Sequence, residues 1–297
     1  MSKSELTPLK FKTIYKEKIW GGSKIREVLR KDFGSLDNCG ETWELSGVEG
    51  NTSIVEGGPL NGKTLKEVIN EYKNELVGDA VWEKYGSEFP LLIKFIDAAD
   101  DLSIQVHPND EQALHKHKSR GKTEMWYVID ADPHARLNAG FNKNLTPSEY
   151  KDILSRGELM TILNWEPVYE DDVFFIPAGK VHSIGKGILL AEIQETSDIT
   201  YRIYDFARTD SEGNTRELHT DDAVEVMSFE RSVDNKVEYK DEWNKPVNLV
   251  SCSYFTTNKL MLSDSLHREL NHDSFTIYIC LDGSLTLNGD LSIKMGD

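Results

Sequence analysis

Basic residues are in short supply in this 297-residue chain: 34 lysines and arginines face 51 aspartates and glutamates, a formal net charge of −17. Nucleic-acid partners demand clustered Lys and Arg against their phosphates, so the deficit argues against one. Cysteine is scarcer still. Cys39, Cys252 and Cys280 are odd in number and widely spaced, which suits neither a disulfide framework nor a paired-cysteine zinc knuckle. Each reads as a small buried hydrophobe. No apolar run approaches the roughly 20 residues that span a bilayer. The first fifteen residues hold lysines but no apolar stretch with a cleavage site behind it. These absences predict a cytoplasmic protein with no membrane and no nucleic acid among its partners.

Glycine-rich phosphate cradles are missing as well: no P-loop or dinucleotide fingerprint precedes a helix. A phosphorylated ligand would have to be held by side chains, whose cations must raise a local positive field against the acidic whole.

What is present is β-patterned. Residues 89–96, 102–108, 124–130, 172–179, 187–194, 199–206, 274–281 and 284–289 are short runs rich in β-branched and aromatic residues, divided by turns. Such spacing predicts barrels or jelly rolls. Helices are expected as insertions. Thr64 to Glu67 spells a capping box, with Leu65, Val68, Ile69, Tyr72 and Leu76 at helical spacing behind it. Thr146-Pro147-Ser148-Glu149 opens a second helix, expected from Pro147 to about Asn164. The acidic, weakly patterned stretch near 221–241 divides the chain into residues 1–225 and 226–297. A weak internal repeat aligns Ile277–Asp297 with the first unit up to the run that begins at Val173. The second unit is therefore expected to be a barrel lacking its last strands.

Only eight histidines are present, so their placement is informative. His107 ends a strand-like run, with Gln105 two residues earlier on the same face. His182 follows Pro177-Ala178-Gly179 in the pattern Pro-x-Gly-x-x-His, a turn that delivers the ring to a set place. Glu124 opens a strand between them. Two imidazoles and a carboxylate form a ligand set for a first-row divalent ion with open positions. Singly, a histidine at a strand end is more often structural; the three in this order point to a metal. His115, His117, His134, His219, His267 and His272 lie in polar surroundings and are expected to be solvated. Lys94, in the middle of an apolar strand, is expected to point into a polar cavity and bind an anionic substrate, since an unpaired buried lysine is costly.

Four ordered blocks then carry a resemblance. They are Phe89 to Ala99 continuing through Leu102-Ser103-Ile104-Gln105-Val106-His107-Pro108; Lys122-x-Glu124-Met125-Trp126-Tyr127; the turn ending at His182; and Gln194-x-x-Ser197-Asp198-x-x-x-Arg202. With Trp20-Gly21-Gly22 and Glu41-Thr42-Trp43-Glu44-x-Ser46, roughly residues 10–210 resemble the type I mannose-6-phosphate isomerases. The resemblance implies two cupin-like jelly-roll β-barrels, the second shortened. It implies one zinc ion per chain at Gln105, His107, Glu124 and His182, and proton transfer between C1 and C2 of a sugar phosphate through an enediol. It places Arg202 in the active site, where we expect charge stabilisation. Lys122, on the face of Glu124, and Asp198 are the acid–base candidates, with Ser103, Lys122, Arg202 and Lys94 for the phosphate. Two rivals keep the same ligands: a non-haem iron oxygenase and a sugar-binding cupin without turnover.

Overall fold

In the computed structural model, which describes residues 6–209, 212–270 and 272–297, eleven strands form two antiparallel sheets. The six-stranded sheet runs Val173–Ile176, Glu124–Ala131, Ile188–Glu195, Leu91–Ala98, Glu41–Ser46, Ile14–Lys16. The five-stranded sheet runs Tyr201–Tyr204, Ile104–Val106, His182–Ser183, Arg136–Phe141, Leu163–Pro167. From Leu91 onward the chain crosses between them repeatedly, as a sandwich does. The first unit is thus mainly β as expected, but it is no closed barrel. Closure needs the outermost strands of one sheet to ladder with the other, and no such pairing joins the two among the described residues.

The six-stranded sheet is buried on both faces. All eight residues of Leu91–Ala98 and all eight of Ile188–Glu195 are buried. Alternation sorts them: Leu91, Ile93, Phe95, Met125, Tyr127, Leu189, Ala191 and Ile193 enter one apolar cluster, while Ile96, Ala98, Trp126, Val128, Ile188 and Leu190 enter another. The second cluster includes Leu137, Ala139 and Ile184 from or beside the five-stranded sheet, so it is the layer between the sheets. The first lies on the outer face.

The expected capping box at Thr64 with Glu67 is formed, and the second expected helix also starts from one, at Thr146 with Glu149. The second helix is shorter than expected. It spans Pro147–Ser155, because Gly157 takes a left-handed φ of 71° and releases the chain into a 3-10 turn and then the strand Leu163–Pro167. Tyr150 and Ile153 seal the back of the five-stranded sheet against Ile104, Val106 and Tyr201. The sequence reading did not anticipate Asp110–His117, which starts from a third capping box at Asn109 with Gln112, or Thr220–Val226.

The expected second barrel is not formed among the described residues. Beyond residue 240 there are two separate two-stranded ladders, Val247–Ser251 with Thr256–Lys259 and Ser284–Leu287 with Leu291–Lys294. Leu249, Val250 and Phe255 complete the outer-face cluster. Residues 274–281 keep the alternation of a strand, with Phe275, Ile277, Ile279 and Leu281 against that cluster, but they belong to no ladder. No helix among the described residues is long and apolar enough to cross a membrane.

Candidate metal centre

The strand alternation that buries the inner cluster leaves its far end polar. Directly across the ladders, Glu124 pairs with Gln194, and Trp126 pairs with Glu192, which pairs with Lys94. On the facing sheet Arg202 pairs with Gln105, which pairs with His182. Ile104, Val106, Tyr201 and Ile203 turn to the opposite face, so Gln105 and Arg202 turn inward.

His107, Glu124 and His182 converge, with one ligand atom of each within 4.8 Å of the others. His107 Nε2 lies 3.6 Å from Glu124 Oε2, and His182 Nε2 lies 3.4 Å from Oε1. All three side chains are at most 1% exposed. The backbone holds them there. Gly179, with φ 85°, donates its N–H to the His107 carbonyl at 2.9 Å, and Lys122 N–H donates to the Pro108 carbonyl at 3.0 Å. Those two bonds tie the His182 turn and the Glu124 strand to the segment bearing His107.

Each imidazole has its tautomer set. His107 Nδ1 is 2.8 Å from the Ile199 carbonyl and His182 Nδ1 is 2.8 Å from the Lys180 carbonyl. A carbonyl only accepts, so each Nδ1 carries the proton and each Nε2 presents a bare lone pair. Burial pushes both rings below the ordinary imidazole range, His182 to about 4. His107 Nε2 and both Glu124 oxygens are buried without a hydrogen bond. Buried polar atoms are rarely left so, and a bound cation would satisfy all three. The donor set therefore fits a divalent metal.

Gln105 lies alongside, with its amide Nε2 3.3 Å from His182 Nε2 and its Oε1 accepting from the Ser103 hydroxyl at 3.3 Å. Lys122 is buried with its Nζ 3.4 Å from Glu124 Oε2. Burial and the nearby Glu192 carboxylate push the Glu124 carboxyl up, against the pull of Lys122. Lys94 is inside as expected, yet its ammonium is taken: it donates to Glu192 at 3.0 Å and to Gln194 at 2.8 Å. Desolvation opposes that charge, but Glu192 and Glu41 outweigh it and push Lys94 up to about 12. The Glu192 carboxylate also accepts from Trp126 Nε1 at 2.9 Å, and the Trp126 ring sits edge-on to His182. Asp198 is exposed on the loop before Tyr201.

Sequence reasoning assigned no site role to Glu192, Gln194 or Trp126, although the last two lie in the blocks that carry the resemblance. The signal was there: Glu192 and Gln194 are same-face polar residues in an otherwise apolar run. His117 and His219 are also not merely solvated. His117 Nε2 is 2.6 Å from the Tyr201 hydroxyl, and His219 Nδ1 accepts from the Arg202 N–H. A cavity of about 1510 Å³ lies elsewhere, between residues 260–297 and the outer-face cluster near Phe11, Leu76 and Ile93, and none of the site residues lines it.

Residues 9–161 match the family described as phosphomannose isomerase type I, catalytic domain. That span holds Gln105, His107 and Glu124 but ends before His182. The chain is similar to mannose-6-phosphate isomerase ManA of Bacillus subtilis, 39% identical over 264 residues, 87% of this chain and 80% of that one. It is 36% identical to the mannose-6-phosphate isomerase of Streptococcus mutans over 87% of this chain and 80% of the relative. Among solved structures, the mannose 6-phosphate isomerase from Bacillus subtilis superposes with a TM-score of 0.82 at 29% identity, covering 98% of this chain and 92% of that one.

Proposed function

Because the chain belongs to the type I phosphomannose isomerase family, we propose that it interconverts mannose 6-phosphate and fructose 6-phosphate using zinc held by Gln105, His107, Glu124 and His182. The observation that carries this reading is the convergence of buried ligand atoms from His107, Glu124 and His182, with the Nε2 lone pair of each ring left bare. Gln105 joins them after a half-turn of its amide, which exchanges Nε2 for the oxygen beside His182. A zinc ion bound there supplies Lewis-acid polarisation of the sugar's carbonyl and hydroxyl oxygens.

The reaction moves a proton between C1 and C2 through an enediol, so it needs an acid–base group and a means of stabilising oxygen charge. We assign Arg202 to the charge, since its Nε is buried without a hydrogen bond and its strand position is next to Gln105. Lys122, buried beside Glu124, is assigned to proton transfer with Asp198 as the second candidate. Ser103 binds substrate from the strand edge. Lys94, engaged by Glu192, lends its charge from behind. We assign the chemistry to residues 1–225, as a cupin-type unit, and a covering role to 226–297. We assign the enzyme to the cytoplasm, a reading that scarce, unpaired cysteine supports.

The test is a coupled isomerase assay on wild type and Arg202→Ala, with zinc measured in both. Arg202→Ala should lose about a hundredfold in kcat and retain its zinc. Zinc lost together with activity would make Arg202 structural, and a zinc-replete wild type that fails to isomerise would remove the functional assignment.

A further inference from the structure

We propose that His219 is a positioning residue for Arg202, fixing the main chain that carries the guanidinium through a hydrogen bond to its ring. The proposal rests on Arg202 serving in the active site. Arg202 lies on Tyr201–Tyr204, the edge strand of its sheet, with Ile104–Val106 on one side only. On an antiparallel strand one residue's N–H and C=O point the same way, and at an open edge both need partners from outside the sheet. His219 provides both. Its N–H donates to the Arg202 carbonyl at 2.7 Å, and its ring Nδ1 accepts from the Arg202 N–H at 3.2 Å.

A continuing strand would use a backbone carbonyl for the second bond. Here the carbonyl is committed elsewhere, because His219 is the N-cap of Thr220–Val226 and its oxygen accepts from the Ala223 N–H at 2.9 Å. The imidazole nitrogen stands in for the missing ladder carbonyl. The ring is not spent on capping, since its side chain makes no cap bond. Two residues earlier, the Glu217 carbonyl accepts from Arg202 Nη1 at 2.9 Å. The 217–219 segment thus grips Arg202 at its backbone and at one guanidinium nitrogen, leaving Nε buried and unbonded. Accepting at Nδ1 requires a neutral ring with its proton on Nε2.

The test uses the zinc-loaded full chain: wild type, His219→Ala, His219→Asn, His219→Gln, Arg202→Ala and the Arg202→Ala/His219→Ala double variant. Each is measured for kcat, KM, zinc content and thermal midpoint. The Asn side-chain oxygen falls near the position of Nδ1 and can accept the same bond, whereas in Gln it is displaced by a methylene. His219→Ala and His219→Gln should lower kcat about tenfold with KM changed less than about threefold, and His219→Asn should return kcat to within about threefold of wild type. In the Arg202→Ala background, His219→Ala should cost nothing more. The proposal is overturned if Asn raises the thermal midpoint without restoring kcat, or if Ala still costs tenfold when Arg202 is absent. Arg202→Ala at wild-type kcat would instead bring down the assignment of Arg202 itself.

Discussion

The two faces of the six-stranded sheet are built from the same strands and do different work. On the outer face Leu91, Ile93, Phe95, Leu189, Ala191 and Ile193 form an apolar layer closed by Leu249, Val250 and Phe255. The inner face starts the same way, with Ile96, Ala98, Ile188 and Leu190, and then changes to Lys94, Glu192, Gln194 and Glu124. The outer face stabilises by area removed from water. The polar end of the inner face costs desolvation that pairing offsets and that a bound cation would offset further. One sheet therefore carries an apolar layer on one side and the candidate metal centre on the other.

The largest effect that can break this division is Glu124→Gln. It removes the one anionic ligand, so zinc content should collapse and kcat fall about a thousandfold or more, while the unfolding midpoint of the metal-free protein holds or rises. A metal-free midpoint that falls steeply would show the polar end to be structural after all. Next is Lys94→Met, which removes the ammonium bonded to Glu192 and leaves that buried carboxylate with only Lys122 nearby. Urea unfolding should report a loss of about 4 kcal/mol at neutral pH. That deficit should shrink as pH falls, because an unpaired buried carboxyl has a raised folded-state pKa and protonation on acidification restores stability.

On the opposite face, Leu249→Ala should cost about 2–3 kcal/mol in the same unfolding measurement and leave kcat and zinc content unchanged. A drop in kcat at a temperature where the variant stays folded would join the two faces functionally. Smallest is Thr64→Ala, which deletes a capping bond outside both layers. A loss of about 1 kcal/mol with unaltered kinetics is expected, and a kinetic effect there would mean the division is not confined to this sheet.

Local codes were legible from the residues: the capping box at Thr64, the helix start at Thr146-Pro147, the β-rich runs at 89–96 and 187–194, and the order His107, Glu124, His182. The features that escaped depend on long-range register. Glu192 meets Lys94 from 98 residues away and His219 meets the Arg202 N–H across a sheet edge, and no local pattern encodes either. Residues 274–281 show the converse. Their alternation is that of a strand and their apolar side is used, but a strand requires a neighbour to hydrogen-bond with, and periodicity carries no information about that. The helix end at Ser155 turned on Gly157, while the Asp110–His117 helix escaped because its single buried residue, Ala113, leaves almost no apolar stripe.

Double-sided burial of Leu91–Ala98 and Ile188–Glu195 makes these strands behave like a text with a reading frame. A single inserted residue would exchange the two faces downstream of it, driving Glu192 into the apolar layer and presenting Ile193 to the ligand-bearing residues. Substitutions at one position can be absorbed by neighbours, but a shift in phase damages packing and chemistry together. Length variation in such a protein is therefore expected at the turns between the sheets, with these two eight-residue strands held to constant length.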